Sequence, residues 1–182
     1  MEIEQSLVTD RLNSINTNQR ALTRHINSIV KECCGSLDNL MNTIRETISN
    51  PNVTLTNEQL DYFILNLPAL MYYAYEKQEL VGMREDIAKQ EKLQRYNDSY
   101  SSYEGTAIER KQLAESDIVY DVLVISIYSR ARKQIQNKLD LATEMLQSLK
   151  KVATRRISEN DFNNLNNICL LYTSPSPRDY AA

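Results

Sequence analysis

Glycine and proline are scarce in this chain, which has 3 Gly and 4 Pro among its 182 residues. Two of the prolines, Pro175 and Pro177, lie near the carboxyl end, which leaves Pro51 and Pro68 for the rest of the chain. With so few residues that break helices or form tight turns, a fold of many short strands is disfavoured. We therefore predict an all-α fold whose long helices form a helical hairpin or coiled coil that is elongated and oligomeric.

Residues 1–50 carry apolar side chains at every third or fourth position, and we expect them to form an amino-terminal, coiled-coil-like helical segment. A mean spacing of about 3.5 residues is typical of a coiled-coil seam. Gly35 either splits the segment into two helices or lies within one, where it costs about 1 kcal/mol relative to alanine. Pro51 ends the pattern, because the residue before a proline avoids the helical region. The apolar positions are Leu12, Ile15, Leu22, Ile26, Ile29, Cys33, Leu37, Leu40, Ile44 and Ile48.

Residues 56–157 are predicted to form a helical hairpin. Each arm begins with the pattern of a capping box, in Thr56 with Gln59 and in Thr106 with Glu109. In this motif a threonine hydroxyl accepts from a backbone N–H three residues later, and the side chain there reaches back.

A tyrosine-rich loop at residues 96–105 is predicted to join the two arms. Pro68 either kinks the first arm or begins a new helix there. The second arm has no Gly or Pro from residue 107 to 156, so a single helix would extend about 75 Å. Such a helix has to pack along another long helix, which predicts self-association. The seam positions expected to drive it are Leu22, Ile26, Ile29, Ile135, Leu139 and Leu146.

The sequence contains no recognisable catalytic or metal-binding constellation. His25 is the single histidine, so no triad can be built around a second imidazole. Cys33 and Cys34 are adjacent, which suits neither a disulfide framework nor Cys-x-x-Cys zinc spacing. We predict a protein with no enzymatic activity, no metal and no cofactor.

The formal net charge of −3 argues against unspecific binding of nucleic acid over the whole surface. No apolar run approaches the roughly 20 residues that cross a bilayer, and the pattern of a signal peptide is missing. We expect a cytoplasmic protein without a membrane partner.

Positive charge is nevertheless concentrated in two places. Eight cations against two carboxylates between Arg130 and Arg156 give that segment a local net charge of +6. Its basic end provides one candidate surface, formed by Lys150, Lys151, Arg155 and Arg156. The preferred candidates flank the tyrosine-rich loop and are Lys89, Lys92, Arg95, Tyr96, Tyr100, Arg110 and Lys111.

Cations interleaved with aromatic rings suit a single-stranded nucleic acid, because the cations follow the phosphates while the bases stack on the rings. The alternative is that the lysines and arginines solvate a helix face while the tyrosines pack the end of the hairpin. In that case the protein is a structural or scaffolding coiled-coil protein with no role in nucleic-acid binding.

The segment Lys89–Tyr96, the tyrosine-rich loop, the segment Gly105–Glu115 and the long helix after it resemble the UvsY-type phage recombination mediators. The resemblance covers about residues 85–156. It implies a small, helical, homo-oligomeric protein without enzymatic activity, in the cytoplasm of the phage host. Such a protein binds single-stranded DNA and helps to load a recombinase onto strands covered by a single-strand-binding protein. The positions that match the family's DNA contacts are Lys92, Arg95, Tyr96 and Tyr100.

The carboxyl end is predicted to lie outside the native protein. Residues Cys169–Asp179 match, residue for residue, the translation of a transposase sequencing adapter. We therefore expect residues 169–182 to be an adapter artefact on a metagenomic fragment, disordered and poorly packed. Residues 158–168 are then a truncated carboxyl-terminal segment of a chain that continues past Ile168.

Overall fold

The structure, a computed structural model, describes the backbone of residues 2–50 and 54–172, and the side chains of residue 9, residues 11–50 and residues 54–162. Within these residues the chain forms four α-helices and no strand, which confirms the predicted all-α fold. The helices are α1 (Glu2–Ser49), α2 (Asn57–Ser102), α3 (Ala107–Asp117) and α4 (Val119–Tyr172).

The first helix, α1, is continuous through Gly35. A side chain added at that glycine would meet no atom within 4 Å, so the residue serves no close packing contact. The second half of α1 buries five of the predicted seam positions, Ile26, Cys33, Leu37, Leu40 and Ile44, together with Val30 and Cys34, whereas Ile48 is 59% exposed. The first half lies largely outside the core, with Leu12 54% and Ile15 51% exposed.

Polar contacts between the helices fix their directions. At the start of α2, Asn57 accepts a hydrogen bond from Arg156, which lies late in α4. At the other end of α2, Arg95 pairs with Asp121, which lies early in α4. The two helices are therefore antiparallel, and α2 packs along α4 over most of its length.

Helix α1 completes a three-helix bundle. Asp38 of α1 pairs with Lys138 of α4, and Ile26 shares a groove with Ile127 nearer the start of α4. Higher numbers in α1 thus lie beside higher numbers in α4, so these two helices are parallel. The shared core is formed by Ile135, Leu139 and Ala142 of α4 together with apolar residues of α1 and α2.

This core changes the argument for self-association. Five of the six seam residues expected to meet another copy are Ile26, Ile29, Ile135, Leu139 and Leu146, and they lie in or against the core of one chain. The sixth, Leu22, is partly buried. The reasoning from these residues was wrong, because α1 of the same chain covers the stripe of α4. Self-association itself remains a prediction.

A polar layer crosses the α2–α4 interface near its middle. The Gln78 side-chain amide donates to the Gln136 side chain at 2.9 Å and to the Arg132 carbonyl at 3.3 Å. About two turns further along α2, the buried Glu85 carboxylate lies 3.9 Å from the guanidinium of Arg132. That guanidinium lies over Gly82, about 3.5 Å from where a Cβ would stand. Buried polar groups are satisfied here in one register only, which favours this alignment of the helices.

Both predicted capping boxes are present. Thr56 and Gln59 exchange hydrogen bonds at the start of α2, and Thr106 and Glu109 do so at the start of α3. Pro68 lies inside α2 and does not begin a new helix.

The predicted loop at residues 96–105 is too long, because α2 continues to Ser102. The hydroxyls of Ser101 and Ser102 donate to the backbone carbonyls of Asn97 and Ser99 and so remain compatible with the last helical turn. Serine and asparagine favour a loop because their side chains compete for backbone hydrogen bonds. Where tertiary contacts stabilise the helix, this preference is overridden. The connection between α2 and α3 is therefore shorter than expected.

The predicted single helix from 107 to 156 is also wrong. Ile118 has φ −94° and ψ 7°, and it separates α3 from α4. Ala114 and Ile118 are both buried, and α3 packs against the end of α2. The break results from tertiary packing. It changes the direction of the chain, so that α3 packs against α2 while α4 packs in the bundle.

Helix α4 is described as far as Tyr172, so it includes residues 158–168 and the first four residues of the segment 169–182. The backbone of those four residues is helical, contrary to the expectation of a loose segment. Residues 173–182 lie outside the part of the chain that the structure describes. The adapter interpretation of those residues stays a prediction. In the described helices no stretch is long and apolar enough to cross a membrane.

The two adjacent cysteines are both buried in the core, at Cys33 and Cys34. Only one was expected to face the seam. Burial raises the pKa of the Cys34 thiol to about 11, and the nearby carboxylate of Asp38 adds to the effect. Burial also raises the pKa of Cys33. Both thiols are therefore protonated near neutral pH and poor nucleophiles.

The Cys34 thiol should make the protein less stable in alkali. The unfolded thiol loses its proton near its ordinary pKa of 9.0, whereas the folded thiol keeps it to about 11. Ionisation between these values favours the unfolded chain, so the free energy of unfolding should fall by up to about 2–3 kcal/mol from this group as the pH rises. Urea denaturation at a series of pH values measures the effect. The variant Cys34→Ala should show a shallower fall between pH 9 and 11, and equal slopes for the two proteins would contradict this account.

Candidate nucleic-acid interface

The last turns of α2 place two predicted tyrosines on one face. Tyr96 and Tyr100 are four residues apart, which brings them together on a helix. Their rings are stacked, with centroids 6.2 Å apart and planes 21° from parallel. This arrangement depends on the helical continuation to Ser102, so it could not arise in the loop that the sequence suggested.

The connection between α2 and α3 turns the chain back onto this face. Gly105 has φ +123°, a conformation that side chains rarely adopt, and an added Cβ would lie 2.8 Å from a carboxylate oxygen of Glu109. The same carboxylate accepts from the backbone N–H of Thr106 at 2.8 Å. Tyr103 closes the turn, since its hydroxyl donates to Asp117 at 2.8 Å, and this hydrogen bond raises the pKa of the phenol.

The result is a surface that we call the tyrosine cleft, built of two adjoining grooves that share Tyr96 and Glu115. The first groove runs between α2 and the α3–α4 junction. The second lies between the end of α2 and α3. The residues of the first groove are Lys89, Lys92, Leu93, Tyr96, Glu115, Ile118 and Ile125. The residues of the second are Tyr96, Tyr100, Ala107, Ile108, Lys111, Gln112 and Glu115.

Six of the seven preferred site residues are brought together here. Lys89, Lys92 and Tyr96 line the first groove, and Tyr100 and Lys111 line the second. Arg110 joins them from α3, with its guanidinium carbon 4.8 Å from the centroid of the Tyr100 ring, in a cation–π contact.

The cations of the cleft differ in how far carboxylates neutralise them. Lys89 donates hydrogen bonds to Glu85 and Asp86, at 2.8 and 3.2 Å, and these contacts raise the pKa of its ammonium. Lys111 lies 3.8 Å from Glu115. Lys92 forms no salt bridge with any residue that the structure describes. It is therefore the cleft lysine whose charge is most available to an anionic ligand.

The seventh preferred residue, Arg95, lies outside the tyrosine cleft and contacts α4. Its guanidinium lies 3.1 Å from the carboxylate of Asp121, whose side chain is only 14% exposed. Arg95 lines neither groove. The structure thus gives this arginine a role in holding α2 to α4, and its charge is already compensated.

The second candidate surface lies at the opposite end of the α2–α4 pair. Lys150 is roughly 40 Å along α4 from the tyrosine cleft, at 1.5 Å per residue. Arg156 donates to the Leu55 carbonyl at 2.7 Å and to Asn57 at 2.8 Å, so it anchors the chain that enters α2. Arg155 pairs with Glu159 at 2.7 Å. Lys150 and Lys151 remain as exposed cations, which leaves a weaker surface than the sequence indicated.

Sequence reasoning missed the acidic and apolar members of the cleft. Glu115, Ile118 and Ile125 are placed there only by the break before α4 and the register of the bundle. Asp121 was missed for the same reason. An antiparallel hairpin predicts that some carboxylate of the second arm lies near Arg95, but it does not say which one. In the described residues, no group of three or more His, Cys, Asp or Glu could hold a metal ion.

No protein-family model, curated protein or solved structure matches this chain. The interpretation of the cleft consequently depends on its own geometry and charge.

Arg95→Ala should destabilise the protein by about 1–2 kcal/mol, because it leaves a largely buried carboxylate without its partner. One oxygen of Asp121 already lacks a hydrogen bond in the described structure, so loss of Arg95 isolates the group further. Urea denaturation measures the change. The double variant Arg95→Ala/Asp121→Asn should recover part of the loss, and strictly additive effects of the two substitutions would show that the pair is not coupled.

Proposed function

We propose that this protein binds single-stranded DNA in the tyrosine cleft and acts as an accessory factor in DNA recombination. The observation that carries the proposal is the convergence of Lys92, Arg110 and Lys111 with the stacked rings of Tyr96 and Tyr100. These residues come from two helices and form one continuous surface. Cations beside aromatic rings are what a single strand requires, since bases stack on the rings while the cations follow the phosphates.

Tyr96 is the best placed ring for stacking with a base. It lines both grooves, and of the two stacked rings it is Tyr100 that also carries the guanidinium of Arg110. A base on Tyr96 would lie beside the ammonium of Lys92, which lines the same groove. We therefore assign stacking to Tyr96 and phosphate neutralisation first to Lys92.

The biological role that we propose follows the resemblance to the UvsY-type recombination mediators. In this role the protein is homo-oligomeric, has no enzymatic activity and works in the cytoplasm of a phage-infected host. It holds a single strand and helps to load a recombinase where a single-strand-binding protein covers the DNA. A weak overall charge of −3 with a local basic cleft suits a protein that has to release its strand.

A scaffolding role is the second candidate, and one observation favours it. Lys89, Arg95 and Lys111 are each paired with a carboxylate, and Glu115 lies in both grooves. Paired cations release fewer counterions when they meet DNA, so a cleft of this kind binds weakly unless the carboxylates are displaced. If the cleft does not bind DNA, these pairs simply stabilise the end of the bundle.

Removing the ring at Tyr96 should weaken binding of a single-stranded oligonucleotide by about 1–3 kcal/mol, with little change in the salt dependence. Tyr96→Phe keeps the ring and should bind nearly as tightly as the parent, which makes it the control for Tyr96→Ala. Lys92→Gln should instead reduce the slope of log affinity against log salt by about 0.7 for its lost phosphate contact. Fluorescence anisotropy over a salt series measures both effects.

Arg95→Gln and Lys151→Gln each remove one positive charge, as Lys92→Gln does, and serve as its controls. Both should leave the salt slope unchanged, because Arg95 is compensated by Asp121 and Lys151 lies at the other end of the bundle. If the parent does not bind the oligonucleotide in low salt, the proposed function is wrong. If it binds but Lys92→Gln and Tyr96→Ala bind equally well, the strand lies elsewhere.

A further inference from the structure

The face of α2 that points away from the core carries a second apolar stripe. Its large members are Leu65, Tyr72, Leu80, Met83 and Ile87, which are between 46% and 73% exposed. Ala69 and Glu76 occupy the positions between them, so the full series is 65, 69, 72, 76, 80, 83 and 87. We call this series the outer stripe.

The outer stripe lies opposite the buried seam of α2. At about 100° per residue, residue 76 lies roughly 180° from Leu67 and Glu85, which are buried in the bundle. Each member of the stripe follows the last by three or four residues, as in a coiled-coil seam. A helix with two opposed apolar seams packs against other helices on both sides. In this chain the bundle covers only one of the two seams of α2.

The spacing indicates what covers the outer stripe. A run of three- and four-residue steps accepts the side chains of another helix into its holes, and it does not match the period of a strand. From Leu65 to Ile87 the stripe is about 33 Å long, or about three heptads. This length suffices for a helix-to-helix interface.

The charges beside the stripe indicate which helix. Lys77 and Arg84 lie along one edge, and Glu79 and Asp86 lie along the other. When two identical helices pair in parallel, opposite edges meet, whereas in an antiparallel pair each edge meets itself. Parallel pairing of α2 with α2 of a second copy therefore brings the basic edge of each against the acidic edge of the other.

We propose that the outer stripe of α2 is the seam through which two copies of this chain pair in parallel. Leu65, Tyr72, Leu80, Met83 and Ile87 of one copy face the same residues of the second. Glu76 lies at the middle of the seam, where its carboxylate raises the pKa of the Tyr72 phenol. A polar residue at one seam position lowers the affinity of a coiled coil but fixes its register.

The first experiment measures self-association by sedimentation equilibrium in the absence of DNA, so its outcome does not depend on the proposed function. Leu80→Glu/Met83→Glu should weaken dimerisation by at least about 100-fold, because it places unpaired charges in the seam. Glu76→Leu should strengthen it by about tenfold or more by removing a charge from the same seam. Leu141→Glu is the matched control, because Leu141 is 56% exposed on α4, away from the stripe. It should associate like the parent.

The second experiment tests direction by oxidative cross-linking in a Cys169→Ser background, where Cys33 and Cys34 are buried. Leu65→Cys and Ile87→Cys should each form a disulfide-linked dimer alone, because parallel pairing puts identical residues together. Leu141→Cys should not. A parent that is monomeric at about 100 μM, where a weak pair still forms, would overturn the proposal. So would association that survives Leu80→Glu/Met83→Glu, or cross-links that appear only when Leu65→Cys and Ile87→Cys are mixed. The substitutions at residues 65, 76, 80, 83, 87 and 141 lie on exposed positions, and circular dichroism should confirm that each variant keeps its helical content.

Discussion

Gln78 lies buried in the interface of α2 and α4, where its amide group reaches both the side chain of Gln136 and the carbonyl of Arg132. A buried amide without partners destabilises a fold by about 1–3 kcal/mol, so this contact selects one register among those that an apolar seam would allow. The small residues Ala74 and Ala131 are buried close to it along the two helices. That register also sets the other contacts between these two helices. It decides that Arg95 meets Asp121, and that Ile118 and Ile125 lie beside Lys92.

The features that could be predicted from the sequence are those set by local chemistry. The all-α class follows from the scarcity of glycine and proline, and the capping boxes at Thr56 and Thr106 need only residues within one turn. The end of α2 at Ser102 and the break at Ile118 could not be predicted, because each depends on how α3 packs against α2. Propensity alone favours a loop after residue 95 and one long helix after Thr106. Tertiary packing overrode both preferences.

The candidate site shows the same division. The tyrosines and lysines around Tyr96 were recognised from composition, but their placement on one helix face was not, because a loop was predicted to begin at residue 96 and α2 continues to Ser102. The sequence did not indicate which cations lack a neighbouring carboxylate. Arg95, for example, pairs with a carboxylate of another helix and not with one of its own. Two positive residues three positions apart thus have different surroundings, with Lys92 in the cleft and Arg95 in an interhelical ion pair.

The short connection between α2 and α3 has a further consequence for recognition. Tyr103, Thr106 and Glu109 satisfy their polar groups within this turn, and Gly105 supplies the single backbone conformation that the turn needs. A ligand that enters the cleft meets walls already in place and does not have to order a mobile segment. Ordering a residue costs on the order of 1–2 kcal/mol in conformational entropy. Binding of the proposed single strand at this end of the bundle would therefore be preorganised, and its thermodynamic signature should reflect contact and ion release more than folding of the protein.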